Sequence, residues 1–204
     1  MRGLFITGTN TGVGKTVVSA ALLTHAPNAK YWKPVQTGVE EDDDAAEVTR
    51  LTGRKPAPAP CYRLPNPVSP HLAAQRAGVR INIDPLIFPT DDVWIVEGAG
   101  GVLVPLNEED LMITLIARLN LPTLVVARTT LGTINHTLLT LEALRARSID
   151  VAGVIMVGEA NADNRMAVEH YGHLRVAEMP KMTPLDHASL LTWRIPAWLK
   201  EYLK

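Results

Sequence analysis

The sequence predicts a three-layer α/β fold in which helices flank a mainly parallel central sheet. Short apolar runs typical of buried strands alternate along the chain with longer stretches of helical periodicity. This order favours a parallel sheet covered on both faces. The first apolar run also leads through a glycine-rich turn directly into a helical pattern. With 204 residues, the chain is expected to form a single domain over residues 1–204.

Six strands are predicted from apolar runs of strand length, at residues 4–7, 31–35, 93–97, 123–127, 151–157 and 175–178. Helices are predicted where apolar residues recur every three to four positions, at residues 15–25, 45–52, 111–119, 134–147 and 162–171, with a closing helix at 196–203. Prolines exclude a central strand from segment 55–70. Its composition favours a rigid surface connector, and a wall of a ligand site is the alternative. Segment 83–92, also interrupted by proline, is too short for a long helix.

Composition and charge narrow the function classes. The formal net charge is −1 without a basic tail or stripe, so nucleic acid and anionic membranes are poor partner candidates. Cys61 is the only cysteine, which excludes an intrachain disulfide and suits a reducing compartment. No apolar run reaches the length of a membrane span, and the first strand leaves no room for a signal segment. We therefore expect a cytoplasmic protein.

Residues 8–16, with the sequence GTNTGVGKT, join the first strand to the first helix. Gly-Lys-Thr at a helix start is typical of a phosphate-binding loop, in which backbone N–H groups hold a polyphosphate, Lys15 reaches its outer phosphates and Thr16 binds Mg²⁺. The first glycine, Gly8, lies one position earlier than the usual spacing. A plain strand-to-helix turn is the alternative, but it has no need of Gly-Lys-Thr. The pattern predicts a P-loop NTPase-type fold.

Polar residues at the carboxyl ends of the strands are candidates for the site, because ligands bind there in open α/β sheets. Lys33 could neutralise a transferring phosphoryl group, although a lysine that extends into solvent fits the local sequence equally well. Glu97 is a candidate Mg²⁺ ligand, and the alternative is a solvated residue in a tight loop. Gly98 and Gly100 behind it permit close approach of the backbone to an anion.

Two further polar segments allow more than one interpretation. The acidic run at residues 40–44 is typical of a solvated loop, but Asp44 can cap the helix predicted from residue 45. One carboxylate among residues 42–44 could instead face a metal, and the pattern leaves open which one. Asn135 and His136 are interpreted locally as a helix cap and a core residue. No Ser-His-Asp triad, zinc cluster or dinucleotide fingerprint is present in the sequence.

Taken together, these segments resemble the dethiobiotin synthetase family, from residue 3 to about residue 147 and more weakly beyond. The resemblance rests on short motifs in a fixed order: GTNTGVGKT at 8–16, KPVQTG at 33–38, DA at 44–45, SPH at 69–71, VEGAGG at 96–101 and LGTINH at 131–136. The phosphate loop of that family carries the same shift of its first glycine.

The resemblance implies a ligase of biotin biosynthesis that forms C–N bonds and closes the ureido ring of dethiobiotin. Its substrates would be 7,8-diaminononanoate, CO₂ and a nucleoside triphosphate, normally ATP, with Mg²⁺. In that family the diamine forms a carbamate, whose oxygen attacks the γ-phosphate to give a carbamic–phosphoric anhydride. The second amine then displaces phosphate and closes the ring. Such chemistry needs an electrostatic clamp on the phosphoryl group and fixed positions for two amines.

The resemblance also implies the site residues. Lys15, on the β- and γ-phosphates, and Lys33, over the carbamate and the transferring phosphoryl group, would be catalytic. Mg²⁺ would be held by Thr16, Asp44 and Glu97. The nucleotide would contact Gly12, Val13, Gly14, Lys15, Thr16, Val17, Asp44, Glu97, Gly98, Gly100, Gly158 and Pro180. The diamine or its carbamate would contact Thr11, Thr37, Ser69, Pro70, His71, Leu131, Gly132 and Asn135.

Two of these implications change the local interpretations above. Segment 55–70 becomes a wall of the substrate pocket because its last two residues, Ser69 and Pro70, belong to the SPH motif. The family is a homodimer with its substrate near the subunit interface. Residues 131–136 would therefore come from the partner subunit, and Asn135 would receive the carboxylate of the substrate at a helix N-terminus instead of capping its own helix.

The chain departs from the family pattern in two places. Many family members carry Asn-Asp after the strand that corresponds to residues 151–157, where this pair reads the adenine edge. Here those positions are Val157 and Gly158, so base selection must rest on the backbone around Gly158 and residues 180–182. Other triphosphates, such as CTP, are then candidates beside ATP. Segment 81–92 is also too short for the helix usual before the third strand, which we expect to change only the periphery.

The main alternative is a nucleotide-switched ATPase of the partitioning or metal-delivery kind, which acts by conformational change. That class shares the fold and dimerisation. It favours an additional lysine near the start of the phosphate loop, where positions 9–12 are Thr-Asn-Thr-Gly. It also gives no role to Lys33 or to residues 131–136. An arginine-rich lid, typical of small-molecule kinases, and the Asn-Lys-x-Asp base reader of GTPases are absent from the sequence.

Overall fold

The computed structural model describes residues 2–88 and 91–204. Its central sheet has six strands: β1 (Arg2–Gly8), β2 (Lys30–Trp32), β5 (Val93–Gly101), β6 (Thr123–Arg128), β7 (Val151–Val157) and β8 (Val176–Met179). They lie in the order β2-β5-β1-β6-β7-β8, and every neighbouring pair is parallel. A second sheet pairs β3 (Val35–Thr37) with β4 (Tyr62–Leu64), also in parallel. The predicted parallel central sheet is confirmed.

Helices cover both faces of the central sheet. They are α1 (Lys15–His25), α2 (Asp44–Thr52), α3 (Pro70–Arg76), α4 (Met112–Leu119), α5 (Thr133–Arg145), α6 (Ala162–Gly172) and α7 (His187–Thr192), followed by a 3₁₀ helix (Ala197–Leu203). Apolar residues of α1, α2 and α7 pack on one face, and those of α3, α4, α5 and α6 pack on the other. The three layers agree with the predicted architecture. Among the described residues, no helix has both the length and the apolar character needed to cross a membrane.

Strand β5 shows how the sheet positions a charged residue. Side chains alternate between the two faces of a strand. Trp94 and Val96 pack in the cluster beneath α4 and α5, whereas Ile95 packs in the cluster beneath α1 and α2. Glu97 follows in this alternation on the α1 and α2 side. Its carboxylate therefore lies below the start of α1, at the carboxyl end of the central strands.

The run at residues 31–35, predicted as one strand, is interrupted. Strand β2 ends at Trp32, and β3 begins at Val35 in the other sheet. Pro34 has no N–H group and cannot extend the ladder of the central sheet. Its carbonyl oxygen instead accepts a hydrogen bond from Tyr62 N, with N···O 2.9 Å. The break turns the chain at Lys33, next to the carboxyl end of β5.

Other elements differ from the prediction in type or were not predicted. Strand β4 lies within the proline-rich segment 55–70, but it belongs to the small sheet, so the exclusion of a central strand there holds. Helices α3 and α7 were not predicted, and the closing helix is a 3₁₀ helix. Residues 83–88 and 91–92 form no helix, as their short length predicts, and Pro89 and Thr90 lie outside the described residues.

Candidate active site

The predicted phosphate loop occupies residues 9–14, between β1 and α1. Gly12 and Gly14 adopt φ angles of 69° and 100°, a region that favours glycine. Gly14 precedes the first turn of α1, and within the described part of the chain no side chain caps that end of the helix. The first N–H groups of α1 are therefore available to bind an anion.

Lys15 begins α1 and folds back along the loop. Its Nζ lies 3.4 Å from the carbonyl oxygen of Asn10, and the residue is only 7% exposed. Burial, together with the positive charge of Lys33, lowers the pKa of Lys15, and the negative charges of Glu97 and Asp44 partly offset this effect. The side chain therefore lies along the loop, where its predicted role on the outer phosphates requires it.

Four predicted side chains from four parts of the chain meet beside this loop. Lys33 Nζ lies 2.6 Å from Asp44 Oδ2 and 2.9 Å from Glu97 Oε1. The hydroxyl of Thr16 donates to Asp44 Oδ1 at 2.5 Å, and its oxygen lies 3.1 Å from Glu97 Oε1. Lys33 Nζ also donates to the carbonyl oxygen of Gly98 at 3.1 Å. We call Thr16, Lys33, Asp44 and Glu97 the acidic cluster.

Both long side chains of the acidic cluster are buried. Lys33 is 7% exposed and Glu97 is fully buried, which excludes a lysine extended into solvent and a solvated glutamate. Burial alone would lower the pKa of Lys33, but the carboxylates of Glu97 and Asp44 outweigh it and raise that pKa. Burial opposes ionisation of Asp44 as well, yet the charge of Lys33 and the hydroxyl of Thr16 lower its pKa. The cluster is therefore held by charge pairing in the protein interior.

The acidic cluster has the ligand chemistry that Mg²⁺ requires. Thr16, Asp44 and Glu97 offer hydroxyl and carboxylate oxygens, which are hard ligands. Among the described residues, no three His, Cys, Asp or Glu side chains come together as a metal site formed by the protein alone. Mg²⁺ is usually bound by one or two carboxylates together with substrate phosphates, so the cluster beside the phosphate loop fits a Mg²⁺–nucleotide complex.

Two neighbouring residues of the acidic run, Asp43 and Asp44, make different contacts. Asp44 was one candidate for the cap of the second helix, but the cap is Asp43, whose Oδ1 accepts a hydrogen bond from Ala45 N at 3.0 Å. Asp43 also pairs with Arg63 of β4 at 2.7 Å. Asp44 is the first residue of α2 and is thus free to face inward. Of the carboxylates at residues 42–44, the structure brings that of Asp44 into contact with Thr16 and Lys33.

Two cavities adjoin the phosphate loop, one of about 700 Å³ and one of about 580 Å³. The larger cavity opens over the acidic cluster, and we call it the substrate cleft. Many of the predicted site residues line this cleft: Thr11, Gly12, Gly14, Lys15, Thr16, Val17, Lys33, Thr37, Asp44, Ser69, Pro70 and Gly100. Among the described residues, His71 lies beside this lining rather than in it, and its N–H donates to the carbonyl oxygen of Pro105.

The smaller cavity, of about 580 Å³, is lined by the loop residue Val13 together with Val157, Gly158 and Lys181. The predicted contact residue Pro180 is adjacent and exposed. The N–H group of Gly158 donates to the carbonyl oxygen of Met179 at 3.0 Å, so this backbone donor is already engaged within the protein. We call this cavity the base pocket because it adjoins the phosphate loop.

Two contacts of the site were not predicted. The Arg128 guanidinium lines the base pocket and donates to the carbonyl oxygen of Gly12 at 3.1 Å. The buried hydroxyl of Tyr31 donates to Glu97 Oε2 at 3.0 Å. Neither residue belongs to a sequence motif. The position of Arg128 at the end of an apolar strand was the signal available for it, and Tyr31 appeared only as one residue of a predicted strand.

The motif at residues 131–136 lies apart from the substrate cleft. Helix α5 begins at Thr133, and its N-terminal flanking residue is Gly132, with φ 91°. The local interpretation of Asn135 as a cap is therefore wrong. His136 is exposed, not part of the core as predicted, and Leu131 is completely exposed. The structure thus does not bring Leu131, Gly132 and Asn135 to the cleft of the same chain.

The strand–loop–helix unit and the acidic cluster define a P-loop nucleotide-binding protein. Residues 2–189 match the family model AAA_26, described as an AAA domain. The chain is 50% identical to the ATP-dependent dethiobiotin synthetase BioD of Paramagnetospirillum magneticum, over 94% of this chain and 93% of that protein. It therefore belongs to the dethiobiotin synthetase family.

Other relatives agree with this assignment. The ATP-dependent dethiobiotin synthetase BioD of Brucella ovis is 47% identical, over 91% of this chain and 88% of that protein. A biotin biosynthesis bifunctional protein BioCD of Bordetella avium is 50% identical, and the match covers 94% of this chain but 42% of that longer protein.

Solved structures show the fold alone. The ParA family ATPase from Chlorobium tepidum aligns with a TM-score of 0.54 at 10% identity, over 99% of this chain and 96% of that one. The cell division ATPase MinD of Pyrococcus furiosus aligns with a TM-score of 0.53 at 14% identity, over 100% and 96%. At such identities the likeness concerns the arrangement of strands and helices.

Proposed function

We propose that this protein is a dethiobiotin synthetase. It would use Mg²⁺ and a nucleoside triphosphate to close the ureido ring of dethiobiotin from 7,8-diaminononanoate and CO₂. The observation that carries the proposal is the acidic cluster, because it places Lys33 and two carboxylates beside the phosphate loop and against the substrate cleft. A nucleotide-switched ATPase is expected to carry its additional lysine near the start of the phosphate loop, whereas Lys33 lies between β2 and β3 and lines the substrate cleft.

The phosphate loop and α1 would bind the triphosphate. The uncapped N-terminus of α1 offers backbone N–H groups and a positive dipole end to the phosphates. Lys15, which lies along the loop, would turn towards the β- and γ-phosphates. Thr16, Asp44 and Glu97 would hold Mg²⁺, which when bound neutralises the charge that develops on the phosphates.

Lys33 would act on the phosphoryl group that is transferred. In the free protein its charge is balanced by Asp44 and Glu97. With Mg²⁺ on those carboxylates, the ammonium group would be available to the carbamate and to the γ-phosphate oxygens. An ammonium fixed at this place stabilises negative charge as it develops, without the need to reorganise solvent.

The substrate cleft would hold the diamine beside the terminal phosphate. Thr11, Thr37 and Ser69 line it, and their hydroxyl groups can both donate and accept hydrogen bonds. Such groups suit a substrate that changes from amine to carbamate during the reaction. Pro70 closes the same wall, which supports a functional role for the proline-rich segment. Fixed positions for both nitrogen atoms would lower the entropy cost of ring closure.

The active form would be a homodimer in the cytoplasm. The apolar side chains of Leu131, Leu103 and Leu139 are each at least half exposed, and apolar surface of this kind supports association. Leu103, Leu139 and His136 surround a cavity of about 300 Å³ that begins at residues 9–11 of the phosphate loop. Leu131, Gly132 and Asn135 of the partner subunit would complete the substrate site there.

The nucleotide would be ATP, and selection among bases would be weak. Val157 and Gly158 provide no polar side chain in the base pocket, and the N–H group of Gly158 is already bonded to Met179. Direct discrimination among bases depends on donors and acceptors that match the base edge. The base pocket is also lined by the polar side chains of Thr130, Glu159 and Asn161. Because the Asn-Asp pair typical of the family is missing at positions 157 and 158, other triphosphates such as CTP would also support turnover.

The proposal is tested by incubating the protein with diaminononanoate, bicarbonate, Mg²⁺ and each of four nucleoside triphosphates. Mass spectrometry should detect dethiobiotin, and the relative rates would rank the nucleotides. Omission of the diamine is the control for phosphate release without ring closure. Phosphate release that is independent of the diamine, with no dethiobiotin formed, would contradict the proposal and favour a nucleotide-switched ATPase.

A further inference from the structure

Tyr31 is a buried polar residue that the proposed mechanism does not use. It lies on β2 and is 2% exposed, with its ring in the apolar cluster beneath α1 and α2. Its hydroxyl does not end in this cluster, because it donates a hydrogen bond to Glu97 Oε2 at 3.0 Å. A buried phenol that only filled space would be served as well by phenylalanine, so this contact points to a further role.

The pairing of β2 with β5 explains how Tyr31 reaches Glu97. In this parallel pair, Tyr31 lies opposite Ile95. Side chains two residues apart on a strand share one face, so Glu97 follows Ile95 on the face that Tyr31 occupies. The phenol ring therefore reaches two positions further along β5, where its hydroxyl meets the carboxylate of Glu97. The contact is thus fixed by the backbones of two central-sheet strands, not by a loop.

The two oxygen atoms of Glu97 serve different partners. Oε1 faces Lys33 at 2.9 Å and Thr16 at 3.1 Å, whereas Oε2 accepts the hydrogen bond from Tyr31. The terminal torsion of a glutamate is broad, so nothing intrinsic to the side chain selects this orientation. A donor that is anchored on β2 removes that freedom and points Oε1 towards the phosphate loop.

We propose that Tyr31 is a positioning residue for the magnesium site, and that its hydrogen bond to Glu97 Oε2 presents Oε1 to the metal beside Thr16. The inference rests on the proposed function in one respect, namely that Mg²⁺ binds at the acidic cluster with the nucleotide. Groups behind a metal ligand orient it, and their removal costs about 10- to 100-fold in metal affinity or activity. Tyr31 would act in this way through Glu97, without contact with the substrate.

The test compares wild type with Tyr31→Phe, which keeps the ring and removes the hydroxyl. Calorimetry of ADP binding is performed over a series of Mg²⁺ concentrations and once in EDTA, without the diamine. We expect the Mg²⁺ concentration at which the enhancement of ADP binding is half-maximal, the Mg²⁺ midpoint, to rise about tenfold in the variant. The affinity for ADP in EDTA should be unchanged, because Tyr31 lies behind Glu97 and not beside the phosphate loop.

Tyr62→Phe is the matched control. The Tyr62 hydroxyl accepts from Asn82 N at 2.9 Å and lies on the small second sheet, so its loss should leave the Mg²⁺ midpoint unchanged. An unchanged midpoint in Tyr31→Phe, or an equal loss of ADP affinity in EDTA, would overturn the proposal. Should Tyr31→Phe fail to fold, Tyr31→Met gives the same comparison with an apolar chain of similar reach.

The outcome is separable from that of the proposed function. The binding measurement uses no diamine and no turnover, so a shifted midpoint would support the role of Tyr31 even if no dethiobiotin were formed. If turnover were present in the wild type but the midpoint did not move in the variant, the proposed function would stand and the role of Tyr31 would be rejected.

Discussion

Buried Lys33 forms an ion pair with the partly exposed Asp44, in which Nζ lies 2.6 Å from Oδ2. Glu97 accepts from the same ammonium group at 2.9 Å. Asp44 and Glu97 are also the carboxylates that we propose as Mg²⁺ ligands, so Lys33 and the metal share their oxygens. Occupation of the site by a Mg²⁺–nucleotide complex would release Lys33 to act on the phosphoryl group. This relationship links the stability of the free protein to the chemistry of the site.

Replacement of Lys33 by methionine should destabilise the protein when Mg²⁺ is absent. Removal of one partner of a buried pair leaves uncompensated charge and costs about 3–5 kcal/mol. Urea unfolding in EDTA measures this loss, and Mg²⁺ with ADP should restore more stability to the variant than to the wild type. Lys30→Met is the control, because the Lys30–Asp92 pair at 2.5 Å is partly exposed and should contribute at most about 1 kcal/mol. Equal effects of the two substitutions would contradict this prediction.

Lys33→Ala should also reduce turnover while nucleotide binding is retained in the presence of Mg²⁺. By analogy with the loss of an oxyanion donor, we expect about 2–4 kcal/mol less stabilisation of the transition state, roughly 30- to 1000-fold in kcat. Dethiobiotin formation under saturating substrates measures kcat, and calorimetry measures binding of ADP. Turnover close to that of the wild type would show that the role assigned to Lys33 is wrong.

Lys15→Ala should instead weaken binding of the triphosphate itself. Lys15 lies along the phosphate loop, with Nζ near the carbonyl oxygen of Asn10, and its ammonium group would contact the outer phosphates directly. Titration with a non-hydrolysable triphosphate measures the change in Kd. Affinity for the nucleoside alone provides the control, since it should not depend on a charge that meets the phosphates.

Asp43→Ala should lower the stability at neutral pH by about 1 kcal/mol, the usual effect of losing a helix cap. Burial tends to raise the pKa of Asp43, but Arg63 and the backbone N–H groups at the start of α2 outweigh it and lower that pKa. The stabilisation by the Asp43 carboxylate is therefore fully present above the pKa that Asp43 has in the unfolded chain. It is lost as the pH falls through the pKa of Asp43 in the folded protein. The free energies of unfolding of wild type and variant should begin to converge as the pH falls below about 4, and they should become equal only below the folded pKa.

Asp42→Ala is a matched control for Asp43→Ala. Asp42 belongs to the same acidic run, but its side chain does not cap α2 in the described structure. A stability loss of equal size in both variants would mean that the effect arises from the charge of the run and not from the cap.

Gly158→Ala should destabilise the protein by about 1–3 kcal/mol, because position 158 has φ 145° and an added Cβ would lie 2.4 Å from Thr129 Oγ1. Thr129→Ala in the same chain should recover the part of the loss that is due to the clash, whereas Thr129→Ser should not. Thermal unfolding of the single and double variants separates the loss due to the clash with Thr129 from the loss due to the backbone conformation. No recovery in the double variant would assign the whole effect to the backbone conformation.

Complementation between two inactive variants tests the shared site of the proposed homodimer. A mixture of Lys33→Ala and Asn135→Ala subunits should form mixed dimers in which one of the two sites is intact. Re-equilibrated at equal amounts, the mixture should recover about a quarter of the wild-type activity per site. The separate variants are the baseline. Failure to exceed that baseline, with dimers confirmed by sedimentation, would count against a site built by both subunits.

Local sequence patterns predicted the parts of the fold that depend on neighbouring residues. The apolar runs gave five strands of the central sheet, and Gly-Lys-Thr placed the start of α1 at Lys15 correctly. The split at Lys33 was missed because β3, which begins at Val35, pairs with β4, which begins only at Tyr62. Propensity carries no information on such distant partners.

In the candidate site, too, local motifs predicted some residues, whereas contacts between distant parts of the chain could not be predicted. The motifs identified Thr16, Lys33, Asp44 and Glu97, and the fold brings them into contact. Consecutive aspartates have equal capping propensity, so the sequence could not distinguish Asp43 from Asp44. Tyr31 lies in an apolar run, and its contact with Glu97 follows from strand register, which appears only when the sheet is assembled.

The central position of β1 has a consequence for biosynthesis. This strand is translated before both of its partners, β5, which begins at Val93, and β6, which begins at Thr123. Until both have been translated, the apolar residues Leu4, Phe5 and Ile6 have no sheet to enter. A nascent chain that stalls before β5 and β6 are made would therefore expose the apolar residues of β1 to chaperones and proteases.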